Sequence, residues 1–338
     1  MGLMKAQFCG SVNLTDAEEV FRAIASVCGS AVARIPDGET GERLRWIFWH
    51  GERLARVSQL AQVTPSEPGY LVPTFRLCAG VHPADVRLDL GYAEAATSSY
   101  RIFRRLQDEG AIPQSARFQM SLPTELALTH MFISSEHQAA LRPVYVAALA
   151  AEIRAALAEI PAAKLSVQWD VAVEIGLLEE TAELGAGYDF NEIVGELRTH
   201  VDLVPAEVEV GLHLCYGDIP GEDGRGHHWR EPDDLGLLVR IANAVLDHAP
   251  RPLTWLHMPV PITRDDERYF LPLRELWLPK EVGLFLGLVH FSDGVSGARR
   301  RMRAASAGGL EFGIATECGL GRVPRHEIME VLRIHAAL

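Results

Sequence analysis

His213 and Cys215 are separated by one position in the segment GLHLCYGD, residues 211–218. The apolar run VEVGL leads into this segment and predicts a buried β-strand. Because alternate residues of a strand point to the same face, the imidazole and the thiol should look into the same space. Imidazole nitrogen and thiolate sulfur are ligands that zinc prefers, and Cys318 offers a third. Core packing is the simpler alternative, since buried Cys and His are common in protein interiors.

The elements that would position these residues alternate regularly along the chain. The β-rich runs are residues 6–12, 31–36, 117–122, 165–172, 208–214, 253–258, 283–290 and 312–316. Helical spacing of apolar residues occurs in 16–29, 92–110, 138–160 and 233–249. Eight such units in 338 residues predict an α/β fold, a single (β/α)8 TIM barrel that occupies residues 1–338. Residues 60–90 do not fit the alternation and predict an insertion after the second β/α unit, near the barrel mouth.

Polar residues stand at, or directly after, the end of nearly every predicted strand. In chain order they are Ser11, Glu39, Ser121, Asp170, His213, His257, His290 and Cys318. Catalytic residues of a TIM barrel lie at the carboxyl ends of its strands, so this regularity predicts one active site. We expect Ser11, Glu39, Ser121 and Asp170 to bind substrate. A binding protein that had lost its chemistry would have no physical need for so many charged groups at one end.

Composition excludes several classes of function. A net charge of −13 argues against nucleic acid as a partner, since phosphate binding needs clustered Lys and Arg. No apolar run approaches the roughly 18 residues of a membrane span, and the N-terminus does not resemble a signal peptide. Five scattered cysteines indicate reduced thiols and a cytoplasmic protein. We expect a small-molecule substrate; the sequence does not indicate an oligomeric state.

Some cysteines and histidines are predicted to lie outside the site. Cys9, Cys28 and Cys78 stand in apolar surroundings, where a cysteine behaves as a small hydrophobic residue. His227 and His228 belong to the glycine-rich segment GEDGRGHHWREP, which is typical of a solvated loop. A loop that covers the site is the less favoured alternative.

Five short segments resemble the cobalamin-independent methionine synthases, in the same order along the chain. GLHLCYGD is similar to the family's strand with a His-x-Cys-Tyr zinc motif, and TECGLGR (316–322) to its Asp-Cys-Gly-Leu segment. The others are CGSV (9–12), PDGETGER (36–43) and VQWDVAVEI (167–175). The wider group of barrels includes uroporphyrinogen decarboxylases and zinc-dependent thiol alkyltransferases.

The resemblance implies a zinc enzyme, a transferase that moves an alkyl group, most simply methyl, to a thiol. It implies Zn²⁺ ligands at His213, Cys215 and Cys318, residues that hold the amino-acid part of homocysteine at Ser11, Glu39 and Asp170, and a proton-shuttling histidine at His290. Zinc would lower the pKa of the bound thiol, and the thiolate would attack an electrophilic carbon.

The chain also departs from that family. The family has a fourth zinc ligand, a Glu, where this chain reads LHMPVPITR (256–264), so either His257 replaces it or three protein ligands remain. A chain of 338 residues has no room for the second barrel that helps the full-length synthases hold folate, so neither folate nor homocysteine is required. The alternative function is a lyase or decarboxylase that stabilises a carbanion without a thiol substrate. Asp170 has a structural alternative too, an ion pair with Arg34 or Arg117.

Overall fold

A computed structural model describes residues 4–338 apart from 64–71, 182, 183, 186, 218 and 221–225. Its strands are β1 Ala6–Gln7, β2 Arg34–Pro36, β3 Leu60–Val63, β4 Thr74–Leu77, β5 Arg117–Pro123, β6 Leu165–Val171, β7 Glu209–Leu214, β8 Ile219–Pro220, β9 Gly226–His227, β10 Trp255–Pro259, β11 Gly283–Val289 and β12 Gly313–Thr316. Its α-helices are α1 Ala17–Cys28, α2 His50–Leu54, α3 Tyr92–Asp108, α4 Glu125–Phe132, α5 Ser135–Leu157, α6 Val173–Leu178, α7 Phe190–Leu203, α8 Gly236–Asp247, α9 Glu267–Phe270, α10 Gly294–Ala305 and α11 Arg325–Ala336.

Eight of these strands form a nearly closed parallel barrel. Their order is β1-β12-β11-β10-β7-β6-β5-β2, and each neighbouring pair in this order is parallel. Two single bridges, Ala6 with Val32 and Ser11 with Gly38, join the first strand to the second. The predicted TIM-barrel fold is therefore confirmed.

The helices cover the barrel with one apolar face each, as their sequence spacing requires. In α1, the buried face includes Val20, Phe21 and Ile24, all nearly inaccessible to water. The helix begins at Asp16, whose side chain accepts a hydrogen bond from the backbone N–H of Glu19 and caps the first turn. None of the helices that the structure describes is long and apolar enough to cross a membrane.

The first two barrel strands are shorter than predicted. The run 6–12 forms a strand only at Ala6–Gln7, because Gly10 adopts a φ of +66° that regular strands do not accept. The run 31–36 is a strand only at Arg34–Pro36. The other six strands begin and end within two residues of the predicted positions.

A two-stranded antiparallel hairpin, β3 with β4, follows the second barrel strand within the predicted insertion. Its connecting residues, 64–71, lie outside the described residues. Phe75 in β4 pairs with Ile133, which stands between α4 and α5, so this hairpin packs beside the segment that leaves β5. A second small hairpin, β8 with β9, follows β7.

Candidate functional site

Strand register places three of the candidate residues at one level of the barrel. Asp170 in β6 is opposite His213 in β7, and His213 is opposite His257 in β10. Segments that follow β1, β2 and β12 reach the same level, since all these strands are parallel. Six of the predicted site residues line one cleft there: Ser11, Glu39, Asp170, His213, Cys215 and Cys318.

One part of the cleft lining, here called the metal-ligand wall, presents three soft metal ligands: His213, Cys215 and Cys318. The Sγ atoms of Cys215 and Cys318 are 3.5 Å apart, and Cys318 Sγ is 3.6 Å from His213 Nε2. Tetrahedral zinc, with bonds of about 2.0–2.3 Å, needs ligand atoms roughly 3–4 Å apart. These three side chains, from β7 and the segment after β12, therefore have the donor types and the spacing of a zinc site.

A chain of hydrogen bonds fixes the tautomer of His213. His257 Nε2 lies 2.9 Å from the carbonyl oxygen of Thr316, which only accepts, so Nε2 must carry the proton. His257 Nδ1 then accepts from His213 Nδ1 across 2.8 Å. His213 Nε2 is left with a lone pair on the side of Cys318, as a metal ligand requires. Burial lowers the pKa of His257 to about 4 and, with His257 adding to it, holds the pKa of His213 well below its usual range.

His257 does not belong to the group formed by His213, Cys215 and Cys318. Both of its ring nitrogens are engaged, one by His213 and one by Thr316. The sequence places His257 at the correct strand end and level. The structure gives it contact with His213 rather than a place beside the two cysteines.

Cys9 lies in the cleft, in contrast to the prediction that it packs as a core residue. Its sulfur and ring nitrogens of His213 and His257 lie within 4.8 Å of one another. The early end of β1 accounts for the difference, because the chain after Gln7 no longer follows the strand alternation used for the prediction. Burial, with Cys318 and Asp170 nearby, raises the pKa of the Cys9 thiol well above its usual value.

A second part of the cleft lining, here called the carboxyl wall, carries the buried carboxyl groups of Glu39 and Asp170. Ser11 Oγ donates to Glu39 Oε2 at 2.5 Å, and Asp170 accepts from Gln168 Nε2 at 2.7 Å and from Trp46 Nε1 at 3.2 Å. Burial and the neighbouring charge of Asp170 raise the pKa of Glu39, and burial raises the pKa of Asp170. An empty cleft therefore favours protonated carboxyl groups, and a cation would favour their ionised forms.

The structural alternative for Asp170 is wrong. Arg34 and Arg117 both pair with Glu209 instead, at 2.5 and 3.0 Å. Since Glu209 opens β7 and Asp170 ends β6, those arginines lie at the other end of the strands from the cleft.

A chain of hydrogen bonds between three glutamine side chains ends at Asp170. Gln7 donates to Gln119 at 2.6 Å, Gln119 to Gln168 at 2.9 Å, and Gln168 to Asp170. Each glutamine stands between two apolar neighbours in the sequence and is fully buried. Sequence reasoning did not identify them, although a glutamine in the middle of an apolar run is a visible signal, because a buried amide needs hydrogen-bond partners.

The loop after β2 holds Glu39 under backbone strain. Glu39 and Trp46 both have positive φ angles, 45° and 53°, which cost energy for residues with a side chain. Asp37 stabilises the turn by accepting from the N–H of Glu39 at 2.9 Å and from Arg43 at 2.7 Å. Gly10 makes room for the carboxyl group, since a Cβ there would lie 3.0 Å from Glu39 Oε2.

Glu317, which the prediction did not include, joins the segment after β9 to the metal-ligand wall. It directly precedes Cys318, and its carboxylate lies 2.8 Å from Nε2 of His228. His228 Nδ1 lies 2.9 Å from the carbonyl of Gly217, and its side chain is only 14% exposed, so the solvated-loop prediction is wrong for this residue. Although burial opposes it, the bond to Glu317 raises the pKa of His228 to about 9. The side chain of His227 lies outside the described residues.

Besides His257, two predicted residues, His290 and Ser121, stand next to the cleft instead of lining it. His290 Nε2 bonds the carbonyl of Val260 at 2.9 Å, and its Nδ1 is 3.7 Å from Glu317, so it reaches the site through that carboxylate. Ser121 is buried under Gly10, and its Oγ has no hydrogen-bond partner among the described residues. Arg322, which was not predicted, does line the cleft.

Comparison with known proteins places the fold. No protein-family model matches the chain, and no curated protein matches it. A B12-independent methionine synthase from Shewanella sp. W3-18-1, solved with selenomethionine, superposes with a TM-score of 0.63 over 99% of this chain and 96% of that chain, at 12% identity. A candidate vitamin-B12-independent methionine synthase from Listeria monocytogenes gives a TM-score of 0.53 over 100% and 97%, also at 12% identity. Likeness at this identity shows a shared barrel fold.

Proposed function

We propose that the protein is a zinc-dependent alkyltransferase that activates an amino-acid thiol and transfers a methyl group to its sulfur. The observation that carries the proposal is one cleft lined both by the ligand group of His213, Cys215 and Cys318 and by the two buried carboxyl groups of Glu39 and Asp170. The sequence resemblance to methionine synthases, and the barrel fold shared with the Shewanella enzyme, support the same class.

His213, Cys215 and Cys318 are the residues that would hold zinc. The fit rests on the soft donor set, the spacing of the three ligand atoms and the lone pair that the His257 contact leaves on His213 Nε2. When bound, zinc lowers the pKa of a coordinated thiol, so that a thiolate is available near neutral pH.

Glu39 and Asp170 would bind the amino group of the substrate. An ammonium group between them favours ionisation of both carboxyls, because it compensates the charge that burial disfavours. Ser11, Gln168 and Trp46 orient the carboxylate oxygens through the hydrogen bonds described above. The two walls would thus hold the two ends of an amino-acid thiol, such as homocysteine, in one orientation.

The test combines metal analysis with a product assay on the 338-residue protein. We expect one zinc per chain by mass spectrometry of the metal, and a methyl thioether when homocysteine and a panel of methyl donors are supplied. Chelation should stop turnover and added zinc should restore it. Full turnover without metal would contradict the proposal, and carbon dioxide release without thiol consumption would favour the decarboxylase alternative.

A further inference from the structure

Two groups of ligand atoms share His213. One contains Cys215 and Cys318, and the other contains Cys9 and His257; within each group all ligand atoms lie within 4.8 Å of one another. Cys9 and His257 are therefore candidates for a fourth ligand beside His213, Cys215 and Cys318, and either would need a shift of its side chain, since neither shares a group with both Cys215 and Cys318. The question is which of the two is available to an ion.

His257 is already committed. Its two ring nitrogens hold His213 at 2.8 Å and the carbonyl of Thr316 at 2.9 Å. Binding an ion through His257 would break one of these bonds in a fully buried place, where an unpaired polar group is costly. It would also remove the hydrogen bond that keeps the proton of His213 on Nδ1 and leaves the lone pair of Nε2 on the side of Cys318.

Cys9 is available by the same criteria. Its Sγ makes no hydrogen bond to any residue that the structure describes, and the residue lines the cleft with only 5% exposure. The main chain of Cys9 lies against the segment that carries Cys318, since a Cβ at Gly319 would be 2.5 Å from the Cys9 carbonyl oxygen. This contact is reinforced by the bond from the N–H of Leu320 to the carbonyl of Ser11.

We propose that Cys9 is the fourth protein ligand of the metal in the substrate-free protein, completing a set of three cysteines and one histidine. The inference rests on the proposed function for the presence of the metal. A substrate thiol would then replace the Cys9 sulfur and pass its proton to Cys9, and the number of sulfur ligands would stay the same.

Zinc X-ray absorption on the zinc-loaded 338-residue protein counts these ligands directly. We expect three sulfur atoms at about 2.3 Å and one nitrogen at about 2.0 Å without substrate. Cys9→Ala should show two sulfurs, rising to three when homocysteine is added. Cys28→Ala is the matched control, because Cys28 is equally buried but lies on α1 away from the cleft, and it should keep three.

Cobalt substitution gives a second measurement. The near-ultraviolet thiolate-to-cobalt absorption should fall by about one third in Cys9→Ala, in proportion to one thiolate in three, and remain unchanged in Cys28→Ala. Two sulfurs in the unmodified, thiol-methylating protein would overturn the Cys9 assignment alone. A protein that binds no zinc would overturn it together with the proposed function. The count in the unmodified protein decides even if Cys9→Ala does not fold.

Discussion

Burial shifts the pKa values of the two walls of the cleft in opposite directions, and on both walls it favours the uncharged form of the side chains. On the metal-ligand wall, burial lowers the pKa of His213 and His257, so the imidazoles are neutral. On the carboxyl wall, burial raises the pKa of Glu39 and Asp170, so these groups tend to keep a proton. Burial penalises charge of either sign, so a cation bound at either wall would compensate this penalty and favour the form of the side chain that binds it.

The walls also differ in how they are supported. His213 stands on a central barrel strand and is fixed by the bonds to His257 and Thr316. Glu39 stands on a strained turn that depends on Asp37. We therefore expect the metal-ligand wall to lose its function when a ligand atom is removed, and the carboxyl wall to lose its function when a negative charge is removed. Four predictions test this difference.

Cys215→Ser should have the largest effect. A serine hydroxyl does not ionise near neutral pH as a zinc-bound thiol does, so we expect zinc affinity to fall by roughly two orders of magnitude or more, with loss of turnover. Zinc titration against a chelator and circular dichroism would show a folded protein without metal. Cys78→Ser, in a partly exposed position after β4, is the control and should bind zinc normally. Unchanged zinc content in Cys215→Ser would disprove a metal role for this wall.

Asp170→Asn should act on substrate and leave the metal in place. Loss of one charged hydrogen-bond partner for the ammonium group should lower kcat/KM by about 10- to 100-fold, while zinc content is unchanged. The loss should be much smaller for a thiol of similar length without an amino group. An equal loss with both thiols would show that Asp170 does not recognise the amino group.

His257→Leu should weaken metal binding about tenfold, because His213 loses the partner that sets its tautomer. His257→Gln keeps an acceptor and a donor in one side chain, so we expect partial recovery of affinity. The measurement is zinc affinity with the sulfur count taken in parallel. A lower count of nitrogen ligands in His257→Leu, with sulfur unchanged, would instead identify His257 as a direct ligand.

The effect of Glu39→Gln on stability should appear without substrate, separately from the loss of kcat/KM that we expect because Glu39 helps to bind the ammonium group. Because the pKa of Glu39 is raised in the folded state, the folded protein binds more protons than the unfolded chain above about pH 5, and the free energy of unfolding falls as pH rises through the neutral range. The variant should lose up to about 1.4 kcal/mol of this decline for each pH unit of that range in the metal-free protein. Urea unfolding at several pH values measures it, with the exposed Glu330→Gln as control. Parallel pH profiles for the variant and the unmodified protein would show that Glu39 is ionised in the empty cleft.

The sequence by itself determined the barrel and the side of it that carries the chemistry. Hydrophobic runs and helical spacing are local properties, and six strands could be placed from them within two residues. The ends of those strands carry Asp170, His213 and His257, and parallel pairing brings them to one level. These features follow from patterns within a few residues of each position, which a sequence displays directly.

Only the tertiary structure decided which of these residues contact one another and which could bind an ion. Cys215 and Cys318 are 103 positions apart, and His213 and His257 are 44 apart, so no local pattern reports their contacts. The segment after Gln7 that brings Cys9 into the cleft packs against residues near Gly319, which are distant in the sequence. Whether an imidazole binds an ion or holds another imidazole is set by distances of about 3 Å between distant segments, and those distances exist only once the barrel has closed.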